Sequence, residues 1–227
     1  MPCLMWGIVR KIFSRKGLFM GLTKTNHGIT LECKALLFDL DGVLIDSTGN
    51  IMRHWQVWAD RHGIDMNEIN RVAHGLQTIE TIRRVAPYLN VEEEAREFAA
   101  HELADTDGIV AIDGAVELLS NLPKGKWTIV TSGCLPLVNA RMSKAGLVPP
   151  TQLVSADDIR NGKPAPDADL LGASRLAFKP ADCVVIEDAP AGIEAGKKAG
   201  MRVVAIASTH DRQTLQQTDA DYVIDKL

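Results

Sequence analysis

From Lys34 to the C-terminus, short apolar runs alternate with segments that read as helices, which restricts the chain to few architectures. The runs are "ALLF" (35–38), "WTIV" (127–130), "CVVI" (183–186), "VVAIA" (203–207) and "YVI" (222–224). Helix-like stretches at 115–122, 135–145, 167–176 and 191–199 separate most of them. Pro136 and Pro166 suit helix starts, and Gly146 and Gly200 suit helix ends. Strands that are apolar throughout, without polar alternation, are buried on both faces. The spacing therefore predicts an α/β fold, a parallel sheet with helices on both sides.

Residues 48–110 break the alternation. "IMRHWQVWADRHG", "EINRVAHG", "TIETIRRVAPYL" and "EEEAREFAAHELAD" all read as helix, with no strand between them. This is an expected helical insertion after the first strand, jointed near Gly49 and near Asp107–Gly114. The expected organisation is an extension over 1–33, a core over 34–48 and 111–227, and the insertion over 49–110. The extension carries Arg10, Lys11, Arg15, Lys16 and Lys24 and no acid before Glu32. Its basic residues follow the first apolar stretch, the reverse of a signal peptide. It reads as a disordered or loosely packed tail, with a short basic surface anchor as the alternative.

The 227 residues suit one core plus an insertion. A net charge of −4 argues against broad nucleic-acid binding. Four scattered cysteines without a CxxC pair argue against a zinc or disulfide framework and point to a reducing, cytoplasmic setting. No apolar run reaches the roughly 18 residues of a transmembrane helix, so no stable membrane association is expected.

Polar residues gather where these strands end. "ALLF" leads to Asp39 and Asp41, "TIV" to Thr131-Ser132-Gly133, and "CVVI" to Glu187-Asp188, while "NGKPAPD" places Lys163 on a Gly- and Pro-rich turn. In parallel α/β sheets, ligands sit outside the carboxyl ends of the strands. Acids this close repel and raise one another's pKa. A hard divalent cation offsets that cost, because Mg²⁺ takes carboxylate, water and phosphate oxygens.

Four ordered motifs, "DLDG" (39–42), "IVTSG" (129–133), "GKPAPD" (162–167) and "VVIEDAPAG" (184–192), resemble the haloacid dehalogenase superfamily of phosphotransferases. The resemblance runs from about Lys34 to the C-terminus and implies a doubly wound, Rossmann-like core with an inserted helical cap. It also implies Mg²⁺-dependent hydrolysis of a small phosphate monoester. Asp39 would be the nucleophile that forms an aspartyl-phosphate, and Asp41 the acid and then the base. Thr131, Ser132 and Leu40 would bind phosphate, and Lys163 would neutralise charge at the transferring group. Asp39, Asp41 and Asp188 would hold the metal, with Glu187 a further ligand or an acceptor for metal-bound water. By analogy, the cap segment "HGLQT" brings His74, Gly75 and Gln77 to the leaving group.

Within the superfamily, Asp41 argues against a dehalogenase. The absence of lysine from "VAHGLQTIET" argues against a phosphonoacetaldehyde hydrolase. A β-phosphoglucomutase-like enzyme would carry a gating histidine and a phosphate-binding arginine where Ile51 and Thr78 stand. The motifs look most like sugar phosphatases acting on hexose phosphates, 2-deoxyglucose 6-phosphate or glycerol 3-phosphate. The mutase is the alternative, and a non-catalytic metal-bound interaction domain a remote one. Asp46 or Ser47 is expected to cap a helix. Trp55 and Trp58 are expected in a core.

Overall fold

The computed structural model describes residues 8–14, 17–23 and 31–227. Strands β1 (Ile8–Ser14) and β2 (Gly17–Thr23) pair antiparallel. The rest of the expectation for residues 1–30 lies outside the described residues.

The first core strand, β3 (Ala35–Phe38), is followed by the two-residue strand β4 (Ile45–Asp46). Four helices come next: α1 (Thr48–His62), α2 (Met66–Asn70), α3 (Thr78–Val85) and α4 (Val91–Ala104). The chain returns through β5 (Val110–Ala111), which pairs antiparallel with β4. The remainder alternates: α5 (Ala115–Asn121), β6 (Trp127–Ile129), α6 (Leu135–Lys144), α7 (Asp167–Arg175), β7 (Cys183–Glu187), α8 (Pro190–Lys198), β8 (Arg202–Ile206), α9 (Arg212–Gln216) and β9 (Tyr222–Ile224).

The main sheet is parallel throughout, in the order β6-β3-β7-β8-β9. After β6 the chain crosses to the other side of β3, so the strand order reverses at β3, where a doubly wound sheet opens its crevice. Successive strand residues point to opposite faces, and both faces are dry. Leu36, Phe38, Val184 and Ile186 pack with Met142 of α6 on one side. Ala35, Leu37, Val185 and Val203 pack with Ala173 of α7 and Ile193 of α8 on the other. This two-sided burial is why the strands read as unbroken apolar runs.

The helical insertion has a core of its own, built on Trp55, Trp58, Ile69, Ile82 and Phe98. Gly49 lies in the first turn of α1, not in a connecting loop. No helix of the described residues is long and apolar enough to cross a membrane.

Candidate active site

Asp39 directly follows β3, and its N–H continues the ladder by donating to the Ile186 carbonyl at 2.9 Å. Glu187 ends β7, with Asp188 next, so adjacent strands deliver their acids to one place. Oxygens of Asp39, Glu187 and Asp188 lie within 4.8 Å of one another, and all three residues are buried. Lys163 reaches in from the loop before α7. Its Nζ donates to Asp39 at 2.7 Å, to Glu187 at 2.5 Å and to the Val130 carbonyl at 3.2 Å.

Burial raises Asp39 to about 7, with Lys163 opposing the shift and Glu187 adding to it. Asp188 is also pushed well up, by burial and then by Glu187 and Asp39. For Lys163, burial acts downward, but Asp39 and Glu187 outweigh it and hold the amine above its usual range. One ammonium thus faces three carboxylates, a surplus of negative charge in a buried, all-oxygen donor set. Those residues fit a hard divalent cation.

Two glycines allow this crowding. Gly42 has φ of 82°, and a Cβ there would strike the Asp188 carboxylate. A Cβ at Gly192, in the first turn of α8, would overlap the Glu187 carboxylate, which also accepts from the N–H groups of Asp188 (2.9 Å) and Ala189 (3.3 Å).

The sequence places Asp41 with Asp39 and Asp188 at the metal, and its side chain has partners outside that cluster. One oxygen accepts from the Ser47 hydroxyl at 2.5 Å and the other from Arg141 at 2.9 Å, so both are engaged away from the cluster. Ser47 occupies the N-cap position of α1, but its hydroxyl serves Asp41 and makes no capping bond. Arg141 also donates to Glu102 at 2.6 Å. Neither Arg141 nor Glu102 was legible in a motif.

A cavity of about 100 Å³ opens over this group, between core and insertion. Asp39, Asp41, Thr131, Ser132 and Asp188 line it from the core, and Ile51, Trp55, His74, Gly75 and Thr78 from the insertion. Thr131 is buried, and its hydroxyl accepts from the Gly133 N–H at 3.2 Å. The Leu40 side chain is buried and apolar, so only its backbone could meet a phosphate. His74 meets His210 edge to face, with ring centroids 5.1 Å apart. Gln77 is not in the lining; its side chain lies against Gly162, beside Lys163. Thr209 bonds the Asp188 carboxylate, a contact that no sequence pattern announced.

A family model described as haloacid dehalogenase-like hydrolase matches residues 36–206. Hexitol phosphatase A of Escherichia coli (strain K12) is 43% identical over 194 residues, covering 83% of this chain and 90% of that protein. Glycerol-1-phosphate phosphohydrolase 2 of Saccharomyces cerevisiae is 33% identical over 217 residues, covering 90% and 86%. Among solved structures, a hydrolase from Pseudomonas syringae has a TM-score of 0.76 at 26% identity, covering 85% of this chain and 94% of that one.

Proposed function

The chain belongs to the haloacid dehalogenase-like hydrolase family, and from that premise we propose that its site releases phosphate from a small sugar or polyol phosphate. It is a phosphoric monoester hydrolase. The observation that carries the reading is the 2.7 Å contact of Lys163 with Asp39 inside a buried carboxylate cluster. A nucleophilic carboxylate needs such a cation to approach a phosphate dianion.

In the proposed reaction, an Asp39 oxygen attacks phosphorus, the bond to the leaving-group oxygen breaks, and Asp41 gives that oxygen its proton. Water then attacks the phosphorus of the aspartyl-phosphate while Asp41 takes up the water's proton, which frees Asp39 and inorganic phosphate. Thr131, Ser132 and the Leu40 backbone hold phosphate oxygens, and Lys163 keeps the nucleophile neutralised. Asp39, Asp188 and Glu187 would hold Mg²⁺, which when bound neutralises charge on phosphate and carboxylates alike.

The insertion serves as a cap over the leaving group, with Asp107–Gly114 as its joint. His74, Gly75, Thr78 and Trp55 face the substrate from it, and Gln77 acts indirectly through Gly162. Ile51 and Thr78 line the cavity with uncharged side chains, which favours hydrolysis over a mutase that must grip a second phosphate. Free Cys33, Cys134 and Cys183 support a cytoplasmic setting.

The test is a panel of phosphorylated sugars and polyols assayed with Mg²⁺, with Asp39→Asn as control. Turnover of a sugar or polyol phosphate that Asp39→Asn abolishes is the expected result. Turnover that survives the substitution would sink the mechanism.

A further inference from the structure

Arg141 is 4% exposed and Glu102 is 4% exposed, so the pair they form is buried on both sides. Arg141 stands on α6 of the core and Glu102 on α4 of the insertion. The same guanidinium holds Asp41 through one nitrogen (2.9 Å) and Glu102 through the other (2.6 Å). A buried ion pair is weak grounds for stability, because desolvation offsets much of its attraction and an apolar pair of similar volume often does as well. What this pair does provide is orientation. A guanidinium is a planar fork with fixed donor directions, so a shift of α4 that carries Glu102 either turns the fork that holds Asp41 or leaves it held on one side only. Ser47 fixes the other Asp41 oxygen. All four side chains face the cavity in which the leaving group would lie.

We propose that Arg141, held by Glu102, is a positioning residue that aims the Asp41 carboxylate at the leaving-group oxygen, and so ties proton transfer to the docking of the insertion. The inference rests on the acid and base role given to Asp41 above. Arg141 itself exchanges no proton; Asp41 gives and takes it as already written. Attack by Asp39 needs no contact from Arg141, so the dependence falls on esters whose leaving group must be protonated. Alkyl phosphates need that proton and aryl phosphates largely do not.

The experiment measures kcat/KM for sorbitol 6-phosphate and for p-nitrophenyl phosphate, and follows the alkyl-to-aryl ratio. The proteins are the parent, Asp41→Asn, Arg141→Met, Glu102→Gln, and the doubles Arg141→Met/Glu102→Gln and Asp41→Asn/Arg141→Met. Misaiming a catalytic group by about 1 Å can cost up to roughly a hundredfold, so Arg141→Met should lower the ratio by about tenfold or more. Glu102→Gln keeps a hydrogen bond to Arg141, and should lower the ratio less. Because Glu102 acts through Arg141, the first double should be no worse than Arg141→Met alone. Because Arg141 acts through Asp41, the second should be no worse than Asp41→Asn alone.

Equal losses on both esters, or ratio effects that multiply in either double, overturn the inference while leaving Asp41 its role. An unchanged ratio in Asp41→Asn overturns that role and the inference with it. Should Arg141→Met fail to fold, the Glu102→Gln ratio decides: a fall supports the coupling and an unchanged ratio refutes it.

Discussion

The Ser132 hydroxyl donates to the Gly75 carbonyl at 2.9 Å, joining the loop after β6 to the loop that precedes α3. One partner stands in the candidate phosphate loop and the other in the insertion segment above the cavity. Beside them, a Cβ on Gly75 would come within 2.9 Å of the Ala189 Cβ. The insertion is therefore docked on the core in this structure, with His74 resting on His210.

In the proposed role His74, which lines the cavity from the insertion, would contact the leaving group and not the phosphorus, so its loss should be selective. Replacing it with alanine removes a contact worth about 0.5–1.5 kcal/mol, or roughly 2- to 13-fold in kcat/KM. That loss is expected on sugar or polyol phosphates, with a smaller one on p-nitrophenyl phosphate. Equal losses on the two would assign His74 to holding the loop in place.

A cation that offsets the excess negative charge of Asp39, Glu187 and Asp188 should stabilise the fold as well as support turnover. Chelation should abolish activity and lower the melting temperature, and Mg²⁺ should restore both. Full turnover with a chelator present would rule out the metal.

Gly192→Ala and Gly49→Ala should act in opposite directions. The first forces a Cβ onto the Glu187 carboxylate, and such overpacking typically costs about 1–3 kcal/mol. It should depress melting temperature and activity together, because Glu187 anchors Lys163. The second fills open space within α1, and alanine is favoured over glycine in a helix by about 0.5–1 kcal/mol. Thermal unfolding checks both, and a destabilised Gly49→Ala would mean that the joint requires glycine there.

Asp169 of α7 is 1% exposed, and neither carboxylate oxygen has a hydrogen-bond partner. Burial raises it to about 7, with Lys163 opposing. The folded chain thus keeps a proton that the unfolded chain releases near pH 4, and this contribution to stability is lost as pH rises from about 4 to about 7. In chelator, Asp169→Asn should melt higher than the parent at pH 8, and the gap should narrow towards pH 5. A gap independent of pH would show that the carboxyl does not titrate in that window.

The alternation of strands and helices was legible because a sheet covered on both sides leaves its strands uniformly apolar. Three of the motifs were legible because strand-end residues keep fixed spacing from the strands that carry them, and the one with Lys163 because its turn is rich in Gly and Pro. Arg141, Glu102 and Asp169 were not, since each is a charged residue in a helix, where solvent is the ordinary destination. A signal did exist. The buried set of α6 is Leu137, Val138, Arg141 and Met142, and that of α4 is Val91, Phe98 and Glu102. In both, the charge falls on the apolar stripe, at helical spacing from its neighbours. Asp169 likewise shares the buried stripe of Ala168, Gly172 and Ala173. Ser47 read as a cap because its place in the chain suits one, and only the fold brings Asp41 within reach of its hydroxyl.

The chain enters and leaves the insertion through β4 and β5, whose pairing sets Ile45 opposite Ala111 and Asp46 opposite Val110. Departure and return therefore occur at one point on the core. A segment whose ends already touch can change length with little added closure entropy, since each doubling costs only about 0.6 kcal/mol. Nor does its exchange disturb the five-stranded sheet, to which it contributes no strand. The stretch can therefore be lengthened, trimmed or exchanged as a unit while the strand ends that carry Asp39, Thr131 and Asp188 keep their places.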